Sequence, residues 1–86
     1  MTHIVPLDSL PEYPDLFVSK RLQASVAEQG LIEPVVINRK EQVHPHDREL
    51  FEAFRRACAS HGDEGTKTCI VVYWHELTAD DRAAYR

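Results

Sequence analysis

The fold is decided by residues 21–37, which read Arg21-Leu22-Gln23-Ala24-Ser25-Val26-Ala27-Glu28-Gln29-Gly30-Leu31-Ile32-Glu33-Pro34-Val35-Val36-Ile37. Leu22 and Val26 are four residues apart, which places them, with Ala27 beside them, on the buried face of one helix. Gly30 follows where a left-handed residue can end that helix. The β-branched run after Pro34 is typical of a short strand buried on both faces. A helix, a tight turn and a strand are therefore predicted in succession.

The flanking segments continue this alternation of strands and helices. A strand begins at His3, a helix is predicted over residues 48–60, a strong strand over 68–74 and a last helix over 79–85. Residues 42–44 are a candidate partner strand, and residues 11–16 and 61–65 are predicted loops. Strands of mixed direction with helices predict an α+β fold, a small mixed sheet with about three helices.

Capping residues and amphipathic spacing support the helices. Ser19 can cap the first helix, Asp47 the second, and Thr78 the third with Asp81 three residues on. In the second helix an apolar face contains Phe51. The polar residues Arg48, Glu49, Glu52, Arg55 and Arg56 are predicted to occupy its outer surface, with Arg48 paired to Glu52 or bound to a ligand.

Composition limits the classes of function. The 86 residues predict a single domain over 1–86, and ten Lys and Arg against fourteen Asp and Glu give a net charge of −4. This balance predicts weak or no direct nucleic-acid binding. No apolar run reaches the ~18 residues of a membrane span, and no signal peptide begins the chain, so a cytoplasmic protein is expected. Cys58 and Cys69 lack CxxC spacing and are predicted to be buried thiols.

Residues 21–37 resemble the "L-x-x-S-I-x-x-x-G-L-I-x-P-I-V-V" pattern of the ParB N-terminal domain and its sulfiredoxin relatives. The opening Ile4 to Leu10 is similar to the family's "I-x-V-x-x-L" strand. The run from Val71 to Trp74, followed by Leu77 and Thr78, is similar to the family's last strand and its "L-T" exit into a helix. The resemblance covers nearly the whole chain. It implies a stand-alone ParB/sulfiredoxin-like domain that is an accessory of DNA metabolism or of a phage or plasmid.

The resemblance also implies where a ligand would bind. The family's chemistry lies at a "G-x-R-R-x-x-A-A" junction, where a helix N-terminus presents N–H groups to phosphate. Here Arg48 matches the first arginine, while His46 replaces the glycine, Glu49 the second arginine and Glu52 the first alanine. The phosphate motif is therefore degraded.

The nucleotide-binding residues that the resemblance implies are His46, Asp47, Arg48, Glu33 and Pro34. The implied ligand is CTP or ATP with Mg²⁺. No cysteine lies at the junction, so a sulfiredoxin reaction is not expected.

A metal-dependent enzyme is the alternative hypothesis. His44 and His46 share a face if the segment is extended, and with Asp47 they could hold a metal ion. The activity would then be that of a nucleotide hydrolase or a metal-dependent nuclease. A solvated polar loop explains the same residues without a metal.

Aromatic residues leave partner binding open. Tyr73 and Trp74 are adjacent on a strand and therefore point to opposite faces, so one of them could stack on a base. Tyr13 lies in a proline-flanked loop and could contact a protein partner. An unpaired strand edge near Tyr73 would allow a homodimer by strand addition.

Overall fold

The computed structural model describes residues 2–60 and 67–85, and these form a mixed sheet of three strands with three α-helices. The strands are β1 (His3–Pro6), β2 (Val35–Ile37) and β3 (Thr68–Tyr73), and the helices are α1 (Lys20–Gln29), α2 (Arg48–Ser60) and α3 (Ala79–Ala83). Short 3₁₀ turns lie at Leu7–Ser9, Pro45–Asp47 and Trp74–Glu76. The predicted α+β fold is confirmed, whereas the predicted loop at residues 61–65 lies outside the described residues.

The sheet has β3 in its centre, with β1 antiparallel on one side and β2 parallel on the other. Val5 lies opposite Cys69, and Val35 lies opposite Val71. β1 pairs with β3 from Thr68 to Val71, and β2 pairs with it from Val71 to Tyr73, so in the described part of the chain Tyr73 has a strand partner on the β2 side alone. The predicted unpaired edge near Tyr73 stays a prediction. The parallel pair brings the carboxyl ends of β2 and β3 together at one end of the sheet.

The outer edge of β2 is covered by the segment that follows it. Val43 forms an antiparallel bridge with Ile37, and the His44 N–H donates to the Val36 carbonyl at 2.8 Å. The predicted partner strand at 42–44 is thus a single bridge. It is enough to satisfy part of the edge of β2 before the chain turns into α2.

Helix α1 begins and ends as its sequence predicts. The Ser19 hydroxyl accepts the Leu22 N–H at 3.2 Å, and Gly30 ends the helix with a φ of +75°. An L-residue would be strained at that φ, which explains the glycine. Val26 is buried, but Ala27 is exposed, so the predicted buried face is narrower than expected.

The core lies between the sheet and α2, with α1 packed against α2. Its buried members are Leu7, Leu10, Val35, Ile37, Val43, Phe51, Cys58, Cys69 and Val71. Both cysteines are buried, as predicted. Burial, reinforced by the neighbouring Cys58, raises the pKa of Cys69 to about 11, so this thiol stays protonated at neutral pH.

None of the described helices combines the length and apolar character that crossing a membrane requires.

Candidate functional site

A cavity of about 210 Å³ opens at the carboxyl ends of β2 and β3. Its lining residues are Val36, Ile37, Asn38, Gln42, Val43, His44, Pro45, Arg48 and Trp74. A second cavity of about 340 Å³ shares Asn38, Gln42 and Trp74 and adds Arg39, Lys40 and His75. We call the two together the groove. Ligands of open α/β sheets commonly bind beyond the carboxyl ends of parallel strands, which is where the groove lies.

A tight turn after β2 forms one wall of the groove. The Asn38 carboxamide oxygen accepts the backbone N–H groups of Lys40 and Gln42, both at 2.9 Å. Its amide nitrogen donates to the Gln42 side-chain oxygen at 3.0 Å. Glu41 adopts a φ of +61° within this turn. These bonds hold Arg39 and Lys40 exposed on the outer rim, where their charges face solvent.

Arg48 forms the inner, cationic wall. Its Nε donates to the Val43 carbonyl at 2.9 Å, and its guanidinium carbon lies 4.9 Å from the centre of the Tyr13 ring. The Tyr13 hydroxyl accepts the Val43 N–H at 3.1 Å, so Tyr13, Val43 and Arg48 hold one another in position. The expected pairing of Arg48 with Glu52 is therefore wrong. Within the described part of the chain, the Nη groups of Arg48 donate to no other residue, so they can bind an anion.

Four side chains, His44, His46, Trp74 and Tyr85, form what we call the aromatic cluster. The His44 ring stacks on Trp74 with centroids 5.1 Å apart and an interplanar angle of 23°. Tyr85 meets His44, His46 and Trp74 edge-on at 5.1, 5.2 and 6.3 Å. The sequence predicts no functional role for Tyr85, because no local pattern indicates that this residue contacts His44.

Helix α3 reaches the cluster through Arg82. This guanidinium donates to the carbonyls of Trp74 and His75 at 3.1 and 3.2 Å and lies 5.6 Å from the Trp74 ring centre. The Thr78 hydroxyl caps α3 by accepting the Asp81 N–H at 3.1 Å, as predicted. Trp74 is thus contacted by both His44 and Arg82, whereas Tyr73 packs against the core and His3.

The N–H groups at the entry to α2 are already engaged. The His46 N–H donates to His44 Nδ1 at 3.1 Å, and the Asp47 N–H donates to the His44 carbonyl at 2.8 Å. The Arg48 N–H donates to the Pro45 carbonyl. A phosphate placed at the family's junction would have to displace one of these bonds.

Asp47 is buried and acts differently from the predicted helix cap. Its Oδ2 accepts the Val36 N–H at 2.9 Å, and its Oδ1 lies 3.4 Å from His46 Nδ1. The physical reason is the buried edge of β2, since an N–H there without a partner would be costly. Asp47 therefore joins α2 to the sheet.

The predicted nucleotide-binding residues are divided between two sides of this turn. Arg48 lines the groove and also a cavity of about 330 Å³ beside Tyr13 and Asp15, whereas the charges of Asp47 and Glu33 act on Tyr85. Burial raises the pKa of the Tyr85 phenol, and the nearby Asp47, Glu33 and Asp81 raise it further. His46 is exposed and contacts the same tyrosine ring. Pro34 is half-buried and precedes β2 without lining the groove.

His44 and His46 both make contacts that need no metal. Among residues 2–60 and 67–85, no three His, Cys, Asp or Glu side chains come together as a set of metal ligands. The rings of His44 and His46 have centroids 6.4 Å apart, and His44 Nδ1 already accepts an N–H. A metal site at His44 and His46 stays a prediction.

Along α2, four charged side chains form what we call the loop clamp: Glu49, Glu52, Arg55 and Arg56. They fasten residues 12–19 to α2. Glu49 accepts the Ser19 N–H and Glu52 accepts the Tyr13 N–H, each at 3.1 Å. Arg56 donates to the carbonyls of Pro14 and Leu16 at 3.3 and 2.9 Å.

Glu52 is the centre of the loop clamp and is fully buried. Arg55 donates to it at 2.6 and 3.0 Å, and Arg56 donates at 2.7 Å. Burial alone would raise its pKa, but the two arginines outweigh burial and lower the pKa below the usual range. The predicted exposure of Glu52, Arg55 and Arg56 is therefore wrong, because the loop covers this face of α2.

Comparisons with known proteins bear on the fold. No protein-family model and no curated protein sequence matches the chain. The structure is similar to the C-terminally truncated chromosome-partitioning protein ParB from Caulobacter crescentus, solved in complex with CTP-γ-S. The TM-score is 0.58 at 23% identity, over 92% of this chain and 46% of that one. The chain thus spans less than half the length of that ParB structure. We conclude that its fold is that of the ParB N-terminal domain.

Proposed function

We propose that this chain is a ParB-like module that binds a nucleotide in the groove, with Arg48 contacting a phosphate. One observation carries the proposal: Arg48 is held at the carboxyl ends of the parallel strands by Val43 and Tyr13. Its Nη groups are left without a partner among the described residues. A fixed guanidinium with free donors suits a phosphate, because little side-chain entropy is then lost on binding.

Local charge supports an anionic ligand although the net charge is −4. Arg39 and Lys40 stand exposed at the outer rim, and Arg48 lines the inner wall. Glu49 and Glu52 depart from the phosphate motif in the sequence. In the structure both belong to the loop clamp, where Glu49 accepts the Ser19 N–H and Glu52 binds Arg55. Their carboxylates therefore do not compete with a phosphate for Arg48.

The similarity to a ParB structure in complex with CTP-γ-S makes CTP the first nucleotide to test, with ATP and Mg²⁺ as variations. Titration calorimetry with CTP, with and without Mg²⁺, should give saturable binding for the natural chain. Arg48→Ala should weaken binding by about tenfold or more, which corresponds to ~1.4 kcal/mol per factor of ten. Arg48→Lys should keep part of the affinity, since it keeps the charge but not the bidentate geometry.

Arg21→Ala is the matched control, because Arg21 is an exposed arginine on α1 outside the groove. It should bind CTP as the natural chain does. Thermal unfolding of each variant separates a lost phosphate contact from a lost fold. Equal affinities for Arg48→Ala and the natural chain would contradict the role of Arg48, and absence of binding at millimolar CTP would contradict the proposal.

A protein-binding accessory of DNA metabolism is the second candidate. Phe17 is 80% exposed on the segment that the loop clamp fastens to α2, so an apolar ring is presented to solvent on a restrained backbone. Such anchors can carry much of a partner's binding energy. A defined partner that binds the natural chain but not Phe17→Ser would support this function. The hydrolase or nuclease alternative, a homodimer and a phage or plasmid origin stay predictions.

A further inference from the structure

The C-terminal turn of the described chain packs against two side chains that line the groove, His44 and Trp74. Helix α3 has five residues and none of them is buried, so little apolar surface holds it. Among the described residues, Arg82 attaches it by binding the carbonyls of Trp74 and His75, and Tyr85, just after the helix, meets the three other rings of the aromatic cluster. A helix this short does not persist without such contacts.

His44 links this turn to the groove. Its ring stacks on Trp74, and both side chains line the 210 Å³ cavity. Its Nδ1 and its carbonyl accept the N–H groups of His46 and Asp47, which shapes the turn leading directly into Arg48. A change in the His44 ring would therefore alter both the wall of the cavity and the start of α2.

Tyr85 is a second ring contact of His44, in addition to Trp74. The two rings meet at 68° with centroids 5.1 Å apart, while Tyr85 itself lines neither cavity of the groove. Tyr85 therefore does not fill either cavity of the groove. This position favours a residue that supports the wall of the groove over one that blocks its entrance.

We propose that Tyr85 is a positioning residue for the groove: it holds His44 against Trp74 and thereby fixes the cavity wall and the turn into Arg48. The effect on a ligand rests on the proposed nucleotide-binding function. The effect on the His44 ring does not rest on that function, because the contact between Tyr85 and His44 exists in the free protein. Tyr85 acts through its ring, so the hydroxyl is dispensable.

The test compares Tyr85→Ala with Tyr85→Phe, and uses Ala83→Ser as a control in the same helix, at an exposed position. In the free protein, NOEs between the His44 ring protons and the Trp74 indole protons report the stacking of these two rings. Tyr85→Ala should weaken these NOEs, whereas Tyr85→Phe and Ala83→Ser should leave them unchanged. Calorimetry with CTP should then show affinity about tenfold lower for Tyr85→Ala, or ~1.4 kcal/mol, and unchanged for the other two.

The outcomes separate this proposal from the proposed function. Unchanged NOEs between His44 and Trp74 in Tyr85→Ala would overturn the positioning role whether or not CTP binds. Weakened NOEs with unchanged CTP affinity would also overturn it, because the groove would not depend on His44. Weakened NOEs in a chain that binds no CTP at all would support the hold on His44 while the nucleotide proposal fails.

Discussion

Helix α2 meets two regions of different construction, the loop clamp along the helix and the aromatic cluster at the segment that enters it. The loop clamp joins it to residues 12–19 through carboxylates, guanidinium groups and backbone amides, with Glu52 fully buried at its centre. The aromatic cluster joins its entry to α3 through ring contacts of 5.1 to 6.4 Å, on side chains that are half-buried or exposed. One region is a buried polar network and the other is a set of stacked rings.

The difference indicates how the small domain divides its tasks. Removing one partner from a buried ion pair leaves the other charge buried without compensation, which lowers the free energy of unfolding. The loop clamp should therefore contribute strongly to stability. Ring contacts at a partly exposed site contribute less, so the aromatic cluster should mainly set the geometry of the groove.

The largest effect is expected from Glu52→Ala. The change leaves Arg55, Arg56 and the Tyr13 N–H without their shared acceptor, and it should lower the free energy of unfolding by about 3–5 kcal/mol. Denaturant titration measures this value. Glu28→Ala, at an exposed position on α1, should stay within about 0.5 kcal/mol of the natural chain. A loss below about 1 kcal/mol for Glu52→Ala would show that the loop clamp does not carry stability.

Asp47 lies between the two regions and gives the second effect. Asp47→Ala removes the acceptor of the Val36 N–H at the buried edge of β2, which should cost about 1–3 kcal/mol in the free energy of unfolding. Asp47→Asn keeps an acceptor oxygen and should lose less than Asp47→Ala. Equal stability of the natural chain and Asp47→Ala would mean that the Val36 N–H finds another partner.

Arg82→Ala tests the other region and should have a smaller, local effect. It removes two hydrogen bonds to the carbonyls of Trp74 and His75, each worth about 1 kcal/mol. Amide exchange should accelerate in residues 79–85 while the amides of β3 and α2 keep their protection. Faster exchange throughout the core would instead show that α3 belongs to the same cooperative unit as the loop clamp.

The pH dependence gives the smallest effect. Burial works against the ionised Glu52, but Arg55 and Arg56 lower its pKa in the folded state. Its stabilising contribution is therefore fully present above the ordinary value of 4.5 and is lost as the pH falls through the lowered folded pKa. Unfolding free energies measured from about pH 5 to pH 3 should fall less steeply for Glu52→Gln than for the natural chain. Identical slopes would contradict the assigned pairing.

The sequence was sufficient for the elements that local rules determine. Ser19 and Gly30 define the ends of α1, Thr78 caps α3, and the β-branched run from Cys69 gives the central strand. The resemblance over residues 21–37 led to the ParB-like fold that the structural comparison shows. These signals lie within a few residues of each other, so periodicity and capping are enough to detect them.

The errors arose where distant segments meet. The spacing of four residues predicts that Arg48 pairs with Glu52. In the structure Arg48 instead contacts the ring of Tyr13, which is 35 residues away in the sequence. The sequence predicts exposure for Arg55 and Arg56, because no local pattern shows that the loop before α1 folds over α2. The contact of Tyr85 with His44 spans 41 residues and has no local pattern either.

The most direct test of the account is a CTP titration of the ¹⁵N-labelled chain followed by NMR, with the indole N–H of Trp74, the single tryptophan, as reporter. The account predicts saturable shifts of that indole and of the amides of residues 38–44 and Arg48. The amides of α1 should stay in place. Shifts confined to other surfaces, or no shifts at millimolar CTP, would contradict a nucleotide site in the groove.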